Sequence, residues 1–289
     1  MLRKYSNNLQ DKTFLSSNQW LDIENNFALI LTATICVDNI PRVYPADKKV
    51  REQQYIETLT YYLHHHPRLK KIIFIENSAS CLNNIKQVML DNPYHKKVEF
   101  ISLYTNLYYS SKGKGFGECL LIQEGLKQSE IIQTVTHFGK ITGRIFLENI
   151  THILETIPAN FDCICDYKDQ GYRIKKALFN KQGNPFCDTR FIAFSKQFYS
   201  QYLEDLHTHF SETFPKEYFC IEVEYYKKIH SLEEQANIIK RFKIEPKFVG
   251  ISGHSGGKTY GGKDYNSFPE QLKYKMRIIA RKLIPSLHF

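Results

Sequence analysis

A continuous run of apolar and β-branched residues at positions 27–37, FALILTATICV, constrains the fold more than any other stretch. It shows no alternation of apolar and polar residues, which is typical of a strand buried on both faces within a parallel sheet. Similar runs occur at 71–77 and 98–104. The sequence therefore predicts a sheet of buried strands covered on both sides.

A helical pattern separates the first two of these runs, at residues 47–66, and ends before Pro67. The predicted apolar face of this helix consists of Val50, Ile56, Leu59, Tyr62 and Leu63. Strand and helix alternate, which implies right-handed crossovers. We therefore predict an α/β, Rossmann-like fold: a mainly parallel central sheet flanked by helices, with a helical C-terminal part.

Charge and composition leave several classes of partner open. The chain has 39 Lys and Arg against 30 Asp and Glu, a net charge of +9, which favours an anionic partner such as a nucleotide, a phospholipid surface or nucleic acid. A soluble basic protein without such a partner fits equally well. With no signal peptide and no apolar run of about 20 residues, the expectation is a cytoplasmic or peripheral protein.

Seven cysteines show no CxxC spacing, which favours reduced thiols. Cys163 and Cys165 alternate with Ile164 in a predicted strand at 161–167, so they share one face of it. Two buried thiols are favoured over a metal site, because no further ligands follow at a recognisable spacing.

Ligands of such sheets bind beyond the carboxyl ends of the strands, so the loop after Asn77 is expected to face the site. The segment 110–118, SSKGKGFGE, is expected to be a glycine-rich loop ahead of a helix at 119–127. Lys114 within it is a candidate phosphate or acceptor contact. A plain flexible loop is the alternative.

The stretch 138–149, FGKITGRIFLEN, places two cations on either side of a glycine. Lys140 and Arg144 could hold an anionic group, and Gly143 would let the backbone approach it. We interpret this stretch as the binding site for the diphosphate of an activated sugar. The alternative is that Arg144 only pairs with a carboxylate of the core.

A second polar cluster, Asp188, Thr189 and Arg190, precedes a predicted strand at 191–195, and a helix is predicted from 196 to about 210. The cluster is either part of a site or a turn with an Asp–Arg pair. In the amphipathic segment 217–229, Glu222 falls off the apolar stripe.

The C-terminal region combines a glycine-rich segment with a basic helix. Residues 248–259, FVGISGHSGGKT, miss the phosphate-loop pattern because Ser252 stands where a glycine is needed, so a mobile lid or tail is expected. Residues 269–283 form a predicted amphipathic helix rich in Lys and Arg. It could dock on an anionic membrane surface or pack on its own domain.

Four short motifs together resemble bacterial glycosyltransferases of the GT-A type that build capsules and lipopolysaccharide. These motifs are the strand end ENS at 76–78, KGFGE at 114–118, KITGR at 140–144 and DTRF at 188–191. The resemblance covers residues 27–229. It implies an N-terminal extension at 1–26, one catalytic domain at 27–247 and a C-terminal appendage at 248–289. Within the catalytic domain, residues 27–150 would bind the nucleotide sugar and residues 151–247 the acceptor.

One departure from the GT-A pattern concerns the metal. Most such enzymes carry an Asp-x-Asp that holds a divalent cation on the diphosphate, and this sequence contains none. The missing motif therefore favours a transfer without metal or other cofactor, in which Lys140 and Arg144, joined by Lys114, neutralise the leaving group, and a divalent metal is the alternative. Gly143 and Asn77 complete the predicted nucleotide-diphosphate site.

An inverting transfer also needs a carboxylate to accept the proton of the acceptor hydroxyl. By analogy with GT-A enzymes the candidates are Glu222 first, Asp188 second and Glu118 third. Thr189 and Arg190 are the predicted contacts to the donor or acceptor sugar.

The predicted function is glycosyl transfer from a nucleotide-sugar donor to a glycan or lipid-linked acceptor, at the inner face of the membrane. A Rossmann-like methyltransferase is one rival, although residues 34–38 lack the glycine-rich loop it needs after the first strand. A basic nucleic-acid-binding protein is another, and would need clustered cations and aromatics on one surface. An inert glycosyltransferase-like scaffold is the third.

Overall fold

The structure is a computed structural model. It describes residues 20–37, 43–106, 113–168, 185–208, 220–251, 259–260 and 268–283. The helices are α1 (Ile23–Asn26), α2 (Lys48–His64), α3 (Asn83–Gln87), α4 (Lys114–Gln128), α5 (Ile150–Leu154), α6 (Lys196–Tyr202), α7 (Ile221–His230) and α8 (Phe268–Leu283). The strands are β1 (Phe27–Ala33), β2 (Lys71–Glu76), β3 (Lys97–Ser102), β4 (His137–Thr142), β5 (Ile145–Leu147), β6 (Cys163–Lys168), β7 (Phe186–Ser195), β8 (Ile238–Ile239), β9 (Phe248–Ile251) and β10 (Thr259–Tyr260).

A seven-stranded sheet with the order β3-β2-β1-β4-β7-β6-β8 forms the centre of the molecule. Strands β3, β2, β1 and β4 are mutually parallel. Strand β7 runs antiparallel to both of its neighbours, β4 and β6, while β8 is parallel to β6. The predicted α/β class, with a mainly parallel central sheet flanked by helices, is confirmed.

Strand β1 lies in the middle of this sheet and is buried along its whole length. Phe27, Leu29 and Leu31 belong to the core shared with α2 and α5, while Ala28 and Ile30 belong to the core shared with α4, α6 and α7. Because each face of the sheet has its own apolar layer, every residue of the strand had to be apolar or small.

A smaller sheet with the order β10-β9-β5 follows the end of β4. Gly250 in β9 pairs with Ile145 in β5 and has a φ of 136°. A Cβ at this position would lie 2.4 Å from the carbonyl oxygen of Arg144, so the close approach of these strands requires glycine.

Residues outside the predicted catalytic domain also join its core. Leu21 and Ile23, from the predicted N-terminal extension, are buried, and the Leu21 N–H donates to the carbonyl of Ile157. At the other end, β9 lies beyond residue 247 and pairs with β5. These residues on either side of 27–247 therefore pack against it, and residues 1–19 lie outside the described residues.

Three predicted elements differ from the structure. Of the glycine-rich segment expected as a loop, residues 114–118 lie at the start of α4, where Gly115 and Gly117 are buried, while 110–112 lie outside the described residues. Residues 248–251, expected in a mobile lid, form β9, whereas 252–258 lie outside the described residues. The helix after β7 ends at Tyr202 rather than near 210.

The buried face of α2 agrees with the prediction at Leu59, Tyr62 and Leu63 and differs from it in the first half of the helix. There Val50 is exposed, while Arg51 and Tyr55 are buried. Arg51 and Tyr55 both donate to the carbonyl of Thr34 in the loop after β1, which accounts for the burial of these polar groups.

None of the seven cysteines forms a disulfide bond. Cys163 and Cys165 share one core with Cys187, as predicted for two thiols on one face of a strand. Burial raises the pKa of all three thiols, so they stay protonated and act as small apolar side chains.

A buried lysine closes the C-terminal end of α2. The ammonium of Lys96, just before β3, donates to the carbonyls of Tyr62, His65 and His66. It thereby satisfies carbonyls that have no partner within the helix and complements the negative end of the helix dipole.

We predict that Lys96→Met lowers the free energy of unfolding by about 2–4 kcal/mol, because it leaves buried carbonyls without a donor. Urea denaturation of the purified protein measures this. The matched control is Lys97→Met, an exposed neighbour, which should change stability by less than about 0.5 kcal/mol. Equal stability of the two variants would contradict the capping role.

Candidate active site at the carboxyl edge of the sheet

The loops that leave the parallel strands are joined by one buried carboxylate. Glu76, the last residue of β2, accepts from the N–H of Ile35 at 3.0 Å, Ser78 at 2.9 Å and Ser80 at 3.1 Å, and from the hydroxyl of Ser78. The carboxylate thus fixes the loop after β1 against the loop after β2.

Asn77, predicted to contact the nucleotide, lies next in the chain and is fully buried. Its N–H donates to the carbonyl of Ala33, and its own carbonyl accepts from Thr105 and Asn106, at distances of 3.1–3.2 Å. Its backbone therefore joins the loops after β1, β2 and β3 at the edge where the sequence predicts a site.

Lys140 lies in β4 with its ammonium buried beneath α4. It forms an ion pair with Glu118 and donates to the carbonyl of Thr189 at 3.0 Å. Glu118 also accepts from the hydroxyl of Thr32 in β1, at 3.2 Å. The charge of Lys140 is therefore already neutralised, and three of the predicted site residues meet in one buried cluster.

Gly143 follows β4 and its N–H donates to the carbonyl of Thr32 at 2.9 Å. A Cβ here would lie 2.8 Å from that oxygen and 3.3 Å from the ring of Tyr55. The glycine permits this approach between strand ends, while its N–H is occupied within the sheet.

Arg144 is buried over the end of β4, and its guanidinium lies on α2. One Nη donates to the amide oxygen of Gln54 at 2.9 Å, while Nε has no hydrogen-bond partner among the described residues. Arg144 has no carboxylate partner among the described residues. The predicted alternative, pairing with a core carboxylate, is therefore not what these residues show.

A second buried guanidinium lies beside Arg144. Arg51 donates to the carbonyls of Thr34 at 2.7 Å and Pro45 at 3.2 Å, and to the hydroxyl of Tyr55 at 3.3 Å. Burial lowers the pKa of Arg144, and the charge of Arg51 lowers it further, against the opposing effect of Tyr55. Two guanidinium groups are thus buried close together, with no carboxylate between them in the described part of the chain.

Uncompensated buried charge is costly, and it raises the affinity of a site for the opposite charge. Guanidinium groups suit phosphate oxygens in particular, because they can donate two parallel hydrogen bonds. The arrangement of Arg51 and Arg144 can therefore hold a phosphate or diphosphate at the carboxyl edge of the sheet.

The two predicted cations of the FGKITGR motif do not converge on one partner. Lys140 contacts Glu118 of α4, on one face of the sheet, and Arg144 contacts Gln54 of α2, on the other. Lys114, the third predicted cation, is the first residue of α4. Of these three, Arg144 is buried with no carboxylate partner among the described residues, and it donates to the amide oxygen of Gln54.

Asp188 and Arg190, near the start of β7, pair with each other as the sequence alternative proposed. The Arg190 Nε donates to both carboxylate oxygens, at 2.9 and 3.1 Å. Burial would raise the pKa of Asp188, but the hydrogen bonds and charge of Arg190 outweigh it and lower the pKa. The guanidinium also lies 4.2 Å from the ring centroid of Phe248 and 4.9 Å from that of Tyr260, which joins the small sheet to β7.

Glu222 lies in the first turn of α7, beside the same end of β7. Its carbonyl accepts from the thiol of Cys187 at 3.5 Å, and its carboxylate accepts from the thiol of Cys220 at 3.3 Å. No described cation forms an ion pair with it. Among the three predicted base candidates, Glu222 is therefore the one whose charge is not already paired.

Three carboxylates of this edge already have ion-pair or hydrogen-bond partners. Glu118 is paired with Lys140, Asp188 with Arg190, and Glu76 is surrounded by N–H and O–H donors. Across the described ranges no three His, Cys, Asp or Glu side chains come together as a metal site would need.

Sequence reasoning missed Arg51, Gln54 and Tyr55 of α2. Arg51 and Tyr55 are four residues apart and in helical phase with Leu59 and Tyr62. The available signal was a charged residue in helical phase with buried aromatic residues. Assigning the buried face of a helix from its apolar residues alone leaves such a residue out.

We predict that Glu118→Gln lowers the free energy of unfolding by about 3 kcal/mol, because it leaves the buried ammonium of Lys140 unpaired. The double variant Glu118→Gln with Lys140→Met should recover most of this loss. Thermal and urea unfolding measure both. Glu124→Gln, which breaks a surface pair with Lys127 on the same helix, serves as control and should cost less than about 1 kcal/mol. An unchanged stability of Glu118→Gln would refute the pairing.

Comparison with known proteins gives limited similarity. No family model matches the sequence, and no curated protein matches it. Among solved structures, core-mannan synthase A from Aspergillus fumigatus in its Mn/GDP form is 9% identical, covering 86% of this chain and 87% of its own, with a TM-score of 0.49. HddC from Yersinia pseudotuberculosis is 12% identical over 88% of this chain and 99% of its own, with a TM-score of 0.39. The mannosyltransferase Ktr4p from S. cerevisiae, in complex with GDP, is 7% identical over 72% of this chain and 66% of its own, with a TM-score of 0.41. Because these TM-scores are below 0.5, they identify no family or activity for this chain.

Proposed function

We propose that the protein is a glycosyltransferase that uses a nucleotide-sugar donor and neutralises the departing diphosphate with arginine. The observation that carries this proposal is the pair of buried guanidinium groups, Arg51 and Arg144, at the carboxyl edge of the sheet. Open α/β sheets bind their ligands at this edge. The proposed donor is therefore bound where the chain has unneutralised positive charge.

The chemistry requires such charge. When the sugar leaves the donor, the nucleoside diphosphate gains negative charge, and stabilisation of that charge lowers the barrier to transfer. Arg144 would donate from Nε and Nη to phosphate oxygens, and Arg51 would add charge from beneath. A buried site makes both interactions stronger than they would be in water.

Glu222 is the proposed general base. The acceptor hydroxyl oxygen attacks the anomeric carbon, the bond from that carbon to the diphosphate breaks, and the hydroxyl proton passes to the Glu222 carboxylate. Asp188 and Glu118 are held by Arg190 and Lys140, so their proposed roles are to position β7 and α4.

The proposal for the specific donor and acceptor rests on the motif resemblance. We propose that residues 27–150 bind the donor and 151–247 receive the acceptor, a growing capsule or lipopolysaccharide glycan in a bacterium. Thr189 and Arg190 would contact the sugar, and Lys114 and Asn77 would border the nucleotide. The protein would work in the cytoplasm, at the inner face of the membrane.

The central prediction concerns Arg144→Met. At about 100 times its dissociation constant, the preferred nucleoside diphosphate should stabilise the wild-type chain by about 2.7 kcal/mol. If the variant binds about 100-fold more weakly, that stabilisation falls to about 0.4 kcal/mol at the same concentration. A thermal-shift screen of nucleoside mono-, di- and triphosphates measures both.

The unliganded variant provides the discriminating control. Arg144 has no carboxylate partner among the described residues, so its loss should cost at most about 1 kcal/mol, for the unpaired amide of Gln54. Arg68→Met, which removes an exposed cation near the opposite edge, should keep the full shift. If Arg144→Met lost stability but kept the nucleotide shift, Arg144 would be structural and the proposal wrong.

A second prediction concerns the metal. Because arginine side chains supply the positive charge, both the nucleotide-induced shift and sugar transfer should be unchanged by EDTA. Assays with EDTA, and then with Mn²⁺ or Mg²⁺ in excess, test this. Activity that EDTA removes and Mn²⁺ restores would show that a metal performs the role assigned to the two arginines.

A further inference from the structure

The C-terminal helix α8 turns its apolar side away from the molecule. Its exposed apolar residues follow one another at spacings of four, four, three and four, which places them in a single stripe along the helix. They are 48–79% exposed. The members of this apolar stripe are Phe268, Leu272, Met276, Ile279 and Leu283.

The opposite side of the helix holds it to the domain through polar contacts. The buried guanidinium of Arg281 donates to both carboxylate oxygens of Asp166, at 3.0 and 2.8 Å, and to the carbonyl of Phe242 at 2.8 Å. Arg277 pairs with Glu245 at 2.6 Å. These contacts fix the rotation of α8 about its own axis, and the apolar stripe therefore faces away from the domain.

Lysines border the stripe. Lys275 and Lys282 lie on one side of it and Lys273 on the other, as their helical positions require, and all three are exposed. The helix sequence FPEQLKYKMRIIARKL carries five cationic residues against one acidic residue. An apolar stripe flanked by lysines complements a surface that has an anionic outer layer over an apolar interior.

We propose that α8 lies flat on an anionic lipid bilayer, with the apolar stripe at the boundary between headgroups and acyl chains and the lysines on lipid phosphates. A second copy of the chain is a poorer occupant, because pairing two such helices would bring their lysines together. No helix among the described residues is long and apolar enough to span a bilayer, so contact through α8 would be interfacial.

The anchor of α8 connects this surface to the candidate active site. Asp166, which holds Arg281, is the register partner of Asp188 across β6 and β7. A membrane bound through α8 would therefore lie near the edge of the sheet that carries the proposed donor site. An acceptor anchored in the same membrane would be presented to that edge.

The test is sedimentation of the full chain with vesicles of phosphatidylcholine alone or with about one-third phosphatidylglycerol. We expect binding to the anionic vesicles and little to the neutral ones. Lys275→Gln with Lys282→Gln should weaken binding about 10- to 30-fold, because each lysine raises the affinity for an anionic surface about fivefold. Met276→Gln with Ile279→Gln should abolish it.

Two matched controls change the same number of charges or apolar groups elsewhere. Lys48→Gln with Lys49→Gln removes two exposed lysines from α2, and Val50→Gln with Leu90→Gln removes two exposed apolar side chains. Both should bind like the wild-type chain. All four variants should unfold at the wild-type temperature, because the altered side chains are exposed.

Three outcomes would overturn the proposal: no binding of the wild-type chain to anionic vesicles, unchanged binding after Met276→Gln with Ile279→Gln, or equal weakening by the control variants. If the wild-type chain formed a dimer without binding vesicles, and Met276→Gln with Ile279→Gln dissociated that dimer, a second copy of the chain would cover the stripe. The experiment uses no nucleotide, so its result is independent of the proposed glycosyltransferase activity.

Discussion

The structure of the candidate site depends on how the backbone groups at the carboxyl edge of the sheet are satisfied. Parallel strands end together, and their loops expose N–H groups that need acceptors. Glu76 supplies acceptors to the loops after β1 and β2, and the backbone of Asn77 connects them to the loop after β3. The Glu76 carboxylate thus fixes the loops at this edge of the sheet, and the charged side chains of α2 and β4 lie next to these loops.

Three buried cations show how environment separates structural from functional roles. Arg281 is matched by both oxygens of Asp166, and Lys140 is matched by Glu118. Each of these pairs joins two elements of the fold and leaves little charge for a ligand. Arg144 is buried to a similar degree, but among the described residues its partners are the amide of Gln54 and the hydroxyl of Tyr55, with Arg51 beside it. This difference in compensation, rather than residue type or burial, marks Arg144 for anion binding.

The sequence predicted the structure well where a single local property decides the position of a residue. The unbroken apolar run of β1 predicted burial on both faces, and the KITGR motif drew attention to Lys140 and Arg144, which the structure buries in β4 and directly after it. It was uninformative where position depends on partners distant in the chain. An apolar run does not reveal the direction of a strand, so the sequence did not predict that β7 runs antiparallel to its neighbours. Arg51 is buried by bonds to the loop after β1, and Arg281 by a carboxylate 115 residues away. The glycines of α4 looked like a loop because propensity is weak against packing.

The most direct test of the account is a crystal structure of the chain with its preferred nucleoside diphosphate bound. We expect Nε of Arg144, which has no hydrogen-bond partner in the described part of the chain, to donate to a phosphate oxygen at about 2.7–2.9 Å. Lys140 should remain paired with Glu118. A diphosphate bound through a metal ion, or elsewhere on the sheet edge with Arg144 still held only by Gln54, would contradict the central claim.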